Sequence, residues 1–346
     1  MVNMKLDIKL TDREQAILAA VIDQYVQSAE PVGSRVIAQR YDLGLSPATI
    51  RNAMQDLEER GMLKQPHTSA GRVPTDLGYR YYVDKVLRPV PLTGSESAKI
   101  KEQVQHDPAA LGDILAQTSK VLARVTNQLG VTIAPNFDKG ILTQIDLAQV
   151  ASNRVLVVIA VKSGLARTLL LEVDTNLEPA QLEETRNVLN ERLAGLTLGE
   201  IRRSAAERLR DAKGEPRLIK MFVESSDRLT TLQEGGDVHL GGASNVMTQP
   251  EFRDITNLSN LMHVIEDRTH LLEWFATHNP NEGIVITIGN EFDATDLGQC
   301  SLVSSTYTIG RVKGTIGVLG PTRMPYSKLV SVVDYTAKVL TDLLAE

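Results

Sequence analysis

The stretch SPATIRNAMQDLEERGMLKQPHTSAGRVPT, residues 46–75, decides the fold of the N-terminal part of the chain. Ser46 is a good helix N-cap, and Pro47 suits the first helical position, where its missing N–H costs nothing. Gly61 is expected to end this helix. A strand, a loop tip at residues 66–70 and a return strand then follow, so the stretch predicts a helix with a two-stranded wing behind it.

Two further helices are predicted ahead of this stretch. Thr11 and Glu14 form a capping-box pattern, and apolar residues then recur on one face of the first helix. A second, short helix is expected to be capped by Ser34 and to run to about Arg40. Gly44 can take the positive φ of the tight turn that follows. Three helices and a wing in this order are typical of a winged helix-turn-helix domain.

The third helix has two distinct faces when its residues are placed at 100° intervals. Its apolar residues fall on one side and are expected to pack on the first two helices; they are Ile50, Ala53, Met54 and Leu57. The opposite face carries residue types that fit a major groove, because Arg binds guanine, Asn and Gln bind adenine, and Ala leaves room for a thymine methyl. The predicted readers of base edges are Ala48, Arg51, Asn52 and Gln55.

Other polar residues are predicted to contact the DNA backbone or the minor groove. The helix N-terminus at Ser46 and Thr49 can donate hydrogen bonds to a phosphate. Ser34 and Arg35 are candidates for a second phosphate. The wing carries short donors and one guanidinium, which suit a minor-groove or backbone contact; these residues are His67, Thr68, Ser69 and Arg72.

Two of these residues have a structural alternative. Arg51 could instead pair with Asp56 or Glu58 on its own helix, or simply be solvated. His67 could equally be an ordinary loop residue. The sequence leaves both alternatives open.

The charge of the chain is unevenly spread. The net charge is −6, yet residues 1–90 hold 12 Lys+Arg against 11 Asp+Glu. A DNA-binding domain needs a basic face rather than a basic total, so an acidic chain is compatible with this role.

Composition argues against several other classes of protein. The single cysteine, Cys300, excludes an internal disulfide and a Cys-based zinc site. No apolar run approaches the ~18 residues of a membrane span, and no signal-peptide pattern opens the sequence, so we expect a cytoplasmic protein. Dinucleotide, P-loop, serine-hydrolase and zinc-protease motifs do not occur in the sequence. We therefore expect no enzymatic activity, no catalytic residues, no cofactor and no metal.

The rest of the chain predicts a mixed helix and strand region. Helical residues 98–129 follow a Pro- and Gly-marked linker. Three strand-like runs, at 141–150, 154–161 and 167–173, are separated by hairpin turns and followed by charged helices. Three later strands are expected at 284–288, 301–309 and 314–319, with a final amphipathic helix over 326–344.

Several segments resemble the heat-inducible transcription repressor HrcA family of bacteria. The resemblance lies in SPATIRN at 46–52, PHTSAGRVPTDLGYRYYVD at 66–84, GGASNVMTQPEF at 241–252 and GTIGVLGPTRMPY at 314–326. It implies a homodimeric repressor that binds an inverted-repeat operator in double-stranded DNA upstream of chaperone operons. It also implies that the chaperonin helps to keep the repressor active.

The resemblance further implies an α+β multidomain fold. A winged helix-turn-helix domain is expected at 1–90, a linker at 91–103, and a GAF-like α/β domain at 104–138 and 236–346. A dimerisation domain, an antiparallel three-stranded sheet plus helices, is expected as an insertion at 139–235, although its strands could instead belong to the GAF-like sheet. A second function stays open, a metabolite-gated winged-helix regulator with the GAF-like domain as ligand sensor.

Overall fold

The computed structural model describes residues 8–68, 70–105, 111–162, 164–173, 177–229, 238–267, 271–272, 274, 283–292, 298–310 and 312–345. The chain divides into two compact units. The first comprises Met1–Thr132, His239–Ser305 and Ile316–Val339, and the second comprises Ile133–Val238, Thr306–Thr315 and Leu340–Glu346.

The first elements form the winged helix that the sequence predicts. They are α1 (Asp12–Ser28), α2 (Ser34–Arg40), α3 (Pro47–Glu59), β1 (Leu63–Lys64), β2 (Val73–Pro74) and α4 (Asp76–Tyr81), which continues as a π-helical turn over Tyr82–Val86. The capping box of Thr11 and Glu14 is closed in both directions. Gly44 and Gly61 take φ values of +63° and +73°, which confirms the glycine turns on either side of α3.

The core of this domain is aliphatic, and the predicted cap of α2 is wrong. Side chains of all three helices meet in it with at most 2% exposure; they are Ile17, Leu18, Val21, Ile22, Ile37, Ile50 and Leu57. The cap of α2 is Gly33, which makes no side-chain cap hydrogen bond. Ser34 is instead the first helical residue, and it is buried. The strands of the wing are also shorter than predicted, with two residues each.

The next elements are α5 (Gly94–Gln105), α6 (Leu111–Thr126) and β3 (Leu129–Asn136). Helix α5 begins at Gly94, inside the segment predicted as a linker. Strand β3 was not predicted, because Gly130 and buried Thr132 interrupt its apolar pattern. Gly130 is needed where it stands, since a Cβ there would lie 2.0 Å from the Ser119 carbonyl oxygen of α6.

The predicted three-stranded meander forms a sheet of its own. It consists of β4 (Leu142–Ala151), β5 (Arg154–Val161) and β6 (Ala166–Glu172), paired antiparallel in the order β4-β5-β6. Helices α7 (Pro179–Leu193), α8 (Leu198–Arg208) and α9 (Pro216–Glu224) follow. Their apolar side chains share one core with the inner face of the sheet, where Val155, Val157 and Ile159 are at most 1% exposed.

The remaining elements are β7 (Val238–Gly241), α10 (Ala243–Met247), α11 (Ile255–Glu266), β8 (Val285–Ile288), β9 (Cys300–Ile309), β10 (Val312–Pro321) and α12 (Tyr326–Leu343). Within the described ranges, the second large sheet has five strands in the order β7-β3-β10-β9-β8. The three late strands and the final helix were thus predicted within a few residues. The separate meander settles which sheet β4–β6 belong to, while the GAF-like assignment stays a prediction.

Candidate nucleic-acid interface

Helix α3 presents the two faces that its sequence predicts. Ile50 and Leu57 are fully buried, and Ala53 and Met54 are each 4% exposed. On the other face the side chains are exposed; they are Ala48, Arg51, Asn52, Gln55 and Asp56. The face intended for base edges is therefore open, and it carries both donors and acceptors of hydrogen bonds.

The start of α3 is closed by its own hydroxyl groups. The backbone N–H of Thr49 donates to Ser46 Oγ at 3.1 Å, and the two hydroxyl oxygens lie 2.9 Å apart. Ser46 remains exposed and Pro47 occupies the first turn. This cap uses one of the free N–H groups at the helix start, so the remaining ones still form a site of partial positive charge.

Arg51 stands clear of the acidic residues of its own helix. In the part of the chain that is described, its guanidinium has no ion pair, and Glu58 pairs with Arg72 instead at 2.7 Å. Asn52 likewise has no side-chain partner there, and Gln55 makes one hydrogen bond of 3.3 Å to exposed Glu59. A ligand can therefore contact the side chains of this face at a small cost in free energy, since few existing contacts must be broken.

The wing is fastened to the body of the domain at Val32 and Glu58. The backbone groups of Val32 and Arg72 exchange two hydrogen bonds of 2.8 and 2.9 Å, and the Arg72 guanidinium pairs with Glu58 of α3. Arg72 Nε is buried and has no hydrogen-bond partner among the described residues. Through this ion pair Arg72 holds the wing beside α3, while its contact with DNA stays a prediction.

Gln65 is not among the contact residues predicted from the sequence. Its side-chain amide donates to the carbonyl oxygens of Thr68 and Ala70, both at 3.0 Å, and so shapes the wing tip. The tip bounds a cleft of about 450 Å³ between the wing, α2 and α3. Arg51 and Arg72 line it from opposite elements, together with Ser34, Gln65 and Thr68.

The other predicted contact residues differ in their exposure to solvent. Arg35 at the start of α2 is exposed, as are His67 and Thr68 on the wing. Ser34 has a relative exposure of only 8%, although it lines the cleft. Ser69 lies outside the described residues.

Gly71 packs closely against the backbone of Val32, so a substitution of Gly71 tests the attachment of the wing. A Cβ at this position would lie 2.4 Å from the Val32 carbonyl group, so Gly71→Ala must displace the wing. We expect a loss of about 1–3 kcal/mol in unfolding free energy, the usual cost of overpacking, measured by urea unfolding. Gly33→Ala is the matched control, because Gly33 has an ordinary φ of −93° and no described residue lies within 4 Å of its Cβ position. Equal unfolding midpoints for the two variants would contradict the role given to Gly71.

Two family models cover most of the chain. Residues 9–85 match the model described as winged helix-turn-helix transcription repressor, HrcA DNA-binding. Residues 112–330 match the model of the HrcA protein C terminal domain. The chain belongs to the HrcA family. The resemblance seen in the sequence is thereby confirmed, and the winged helix described above is the DNA-binding domain of this family.

Full-length relatives agree with this assignment. The heat-inducible transcription repressor HrcA of Chlorobium phaeobacteroides (strain BS1) is 38% identical, over 97% of this chain and 99% of its own. That of Pelotomaculum thermopropionicum is 35% identical, over 97% of each chain. A solved crystal structure of a hypothetical protein shares the fold, with a TM-score of 0.59, 24% identity and coverage of 97% and 99% of the two chains.

Among the described ranges no helix is both long and apolar enough to span a membrane, and no group of three or more metal-binding side chains comes together. The candidate site consists of the exposed α3 face and the wing. The α3 face presents hydrogen-bond donors and the Arg51 cation, and the wing tip presents exposed His67 and Thr68, side chains of the kind that contact DNA.

Proposed function

We propose that this protein represses heat-shock chaperone operons by binding, as a dimer, an inverted-repeat operator in double-stranded DNA. The observation that carries the proposal is the outer face of α3, where Arg51, Asn52 and Gln55 are exposed, in a chain of the HrcA family. The family match favours this function over a metabolite-gated regulator. A repressor must reach the chromosome, so we place the protein in the bacterial cytoplasm.

Each predicted contact residue has a role in this proposal. The residues at base edges are Ala48, Arg51, Asn52 and Gln55, and those at phosphates are Ser34, Arg35, Ser46 and Thr49. The wing residues are His67, Thr68, Ser69 and Arg72. Of the phosphate contacts, Arg35 is best supported, since it is exposed and charged, while buried Ser34 contributes less. Arg72 contributes mainly by keeping the wing in place through Glu58.

The dimer is supported by the outer face of the β4-β5-β6 sheet. Leu156 and Val158 point away from the buried core on the central strand, and Leu156 stands opposite Ala148 on one side and Leu170 on the other. Leu170 is 39% exposed. The row Ala148–Leu156–Leu170 is apolar across all three strands, whereas Val158 stands between Asp146 and Thr168. A partly exposed apolar row on a sheet suits self-association around a two-fold axis, in which each copy presents the same surface.

The domain organisation proposed from the sequence fits this arrangement. We propose a winged helix at 1–90, a linker at 91–103, a GAF-like domain at 104–138 and 236–346, and an inserted dimerisation domain at 139–235. The separate sheet β4–β6 and helices α7–α9 support the insertion, because they share a core of their own.

Footprinting on the chaperone promoters of the source organism tests the function directly. We expect protection of an inverted repeat, with both half-sites covered at the same protein concentration. A promoter with one half-site scrambled is the control, and it should lose protection at both halves. Protection of random sequence to the same extent would contradict a specific repressor.

Regulation by heat is the second part of the proposal. The relatives are named heat-inducible repressors, and we propose that chaperonin keeps this protein in its DNA-binding form. Operator affinity should therefore fall as temperature rises, and chaperonin should restore it. Affinity that is unchanged by temperature and by chaperonin would reject this part while leaving the operator itself in place.

A further inference from the structure

Two distant segments of the C-terminal region meet at Arg323. Arg323 Nε donates to Glu251 Oε1 at 2.6 Å, and one terminal nitrogen donates to Gln249 Oε1 at 3.1 Å. The other terminal nitrogen donates to the carbonyl oxygen of Val26 at 2.6 Å, in the last turn of α1. The side chains of Arg323 and Glu251 are only 10% and 14% exposed. One guanidinium thus ties α1 of the winged helix to two segments that lie more than 200 residues further along the chain.

The contact at Val26 also completes a helix end. Carbonyl groups of the last helical turn have no partner within the helix, and a cation there interacts favourably with the helix dipole. Helix α1 has no basic residue of its own in its last turn. The backbone N–H of Ala29 already caps the Tyr25 carbonyl, and Arg323 adds a cation at the Val26 carbonyl. Separating the winged helix from the C-terminal region would remove this donor from Val26 and leave the carboxylate of Glu251 without its Arg323 partner.

A second set of contacts lies on α4. Arg80 Nε donates to Glu291 Oε1 at 2.6 Å, and a terminal nitrogen donates to the carbonyl oxygen of Ile286 at 2.6 Å. Asp76 Oδ2 accepts from the backbone and side-chain N–H groups of Asn290, at 3.0 and 2.8 Å. Gly289 permits this approach, because a Cβ on it would lie 2.3 Å from the Asp76 carboxylate.

An aromatic contact also joins α4 to the C-terminal region. The rings of Tyr79 on α4 and Tyr326 on α12 are 5.8 Å apart, and both residues are at most 2% exposed. All of these residues belong to the first compact unit. None of them is on α3 or the wing, so the surface that holds the winged helix is separate from the surface proposed for DNA.

We infer that Arg323 is a positioning residue that fixes the orientation of the winged helix on the C-terminal region, and with it the half-site spacing the dimer accepts. The inference rests on the proposed function, because only a two-headed protein has a spacing to fix. A winged helix that is attached to the C-terminal region through both α1 and α4 cannot easily rotate relative to it. When one attachment is lost, the second winged helix of the dimer is held less firmly near its half-site, so its effective concentration there falls. No contact to a base changes.

Arg323→Met is the decisive variant, since it keeps the apolar stem and removes the charge and all donors. We expect its affinity for the full operator to fall about tenfold while its affinity for an isolated half-site stays that of the wild type. It should also lose the preference for native spacing, so that operators with one or two base pairs added or removed bind nearly as well as the native one. The measurement is fluorescence anisotropy with the full-length protein and labelled duplexes.

Arg253→Met is the matched control, because Arg253 lies in the same segment as Glu251 and is exposed. It should keep both the affinity and the spacing preference of the wild type. An Arg323→Met protein with the same operator-to-half-site ratio and the same spacing preference as this control would overturn the inference.

Arg80→Met applies the same test at the α4 contact. It replaces Arg323→Met as the test of the positioning role if thermal unfolding shows that Arg323→Met does not fold. The same two outcomes hold for it. A wild-type protein that binds full operator no better than a half-site would refute the proposed function itself. That result is distinguishable from a failure of the positioning role, in which the wild type prefers the operator and the variants do so equally.

Discussion

Leu156→Glu is expected to convert the dimer into a monomer and to lower operator affinity by about 10²–10⁴-fold, the range that linking two binding heads provides. Leu156 lies on the central strand of the β4-β5-β6 sheet, between Ala148 and Leu170 of the neighbouring strands. A carboxylate at the centre of an apolar interface would be buried without a partner in the dimer and remain hydrated in the monomer. The monomer should bind a half-site as the wild type does.

Ala180→Glu is the matched control for this experiment. Ala180 is an exposed residue in the first turn of α7, where a carboxylate is favourable, and it places the same charge on the helical side of the same unit. Sedimentation analysis gives the oligomeric state and anisotropy gives the affinity. A Leu156→Glu protein that remains dimeric at the operator affinity of the control would exclude the outer face of this sheet as the dimer interface.

Arg51→Ala is expected to weaken operator binding by about 1–3 kcal/mol and to relax the base preference at one position of each half-site. The expectation follows from the exposure of Arg51 and from the pairing of Glu58 with Arg72, which leaves the Arg51 guanidinium available. The check is the affinity of the variant for operators with each base pair substituted in turn.

Arg35→Ala provides the contrast, because Arg35 is proposed to contact a phosphate. It should weaken all sequences about evenly and reduce the slope of log affinity against log salt by about one. If Arg51→Ala instead lowered affinity for every sequence equally, the α3 face would be holding the DNA backbone, and the assignment of base readers would be wrong.

Local signals made the winged helix predictable. The caps at Thr11 and Ser46, the glycines at 44 and 61, and the apolar spacing of α3 all act within a few residues, so the sequence alone specifies them. The separation of buried and exposed residues on α3 was predicted for the same reason. Strand β3 was missed because its burial depends on the approach of α6, which Gly130 permits and no local pattern reveals.

Contacts between residues that are distant in the sequence could not be predicted. Glu58 was considered as a partner for Arg51 seven residues away, and only the folded wing brings Arg72 to it instead. Arg323 stood inside a segment that resembled the family, yet its contact with Val26 spans 297 residues of sequence. Such a pair leaves no periodicity and no spacing rule in a single chain. The same holds for Gln65, whose task depends on the path of the wing tip.

The central claim is that two α3 helices on one dimer bind both halves of a symmetric site. The most direct measurement is the affinity of the purified full-length protein for a duplex with two half-sites and for the same duplex with one half scrambled, at one fixed salt concentration. We expect at least about 100-fold tighter binding to the intact duplex. Equal affinity for the two duplexes, or binding to neither at low salt, would contradict it.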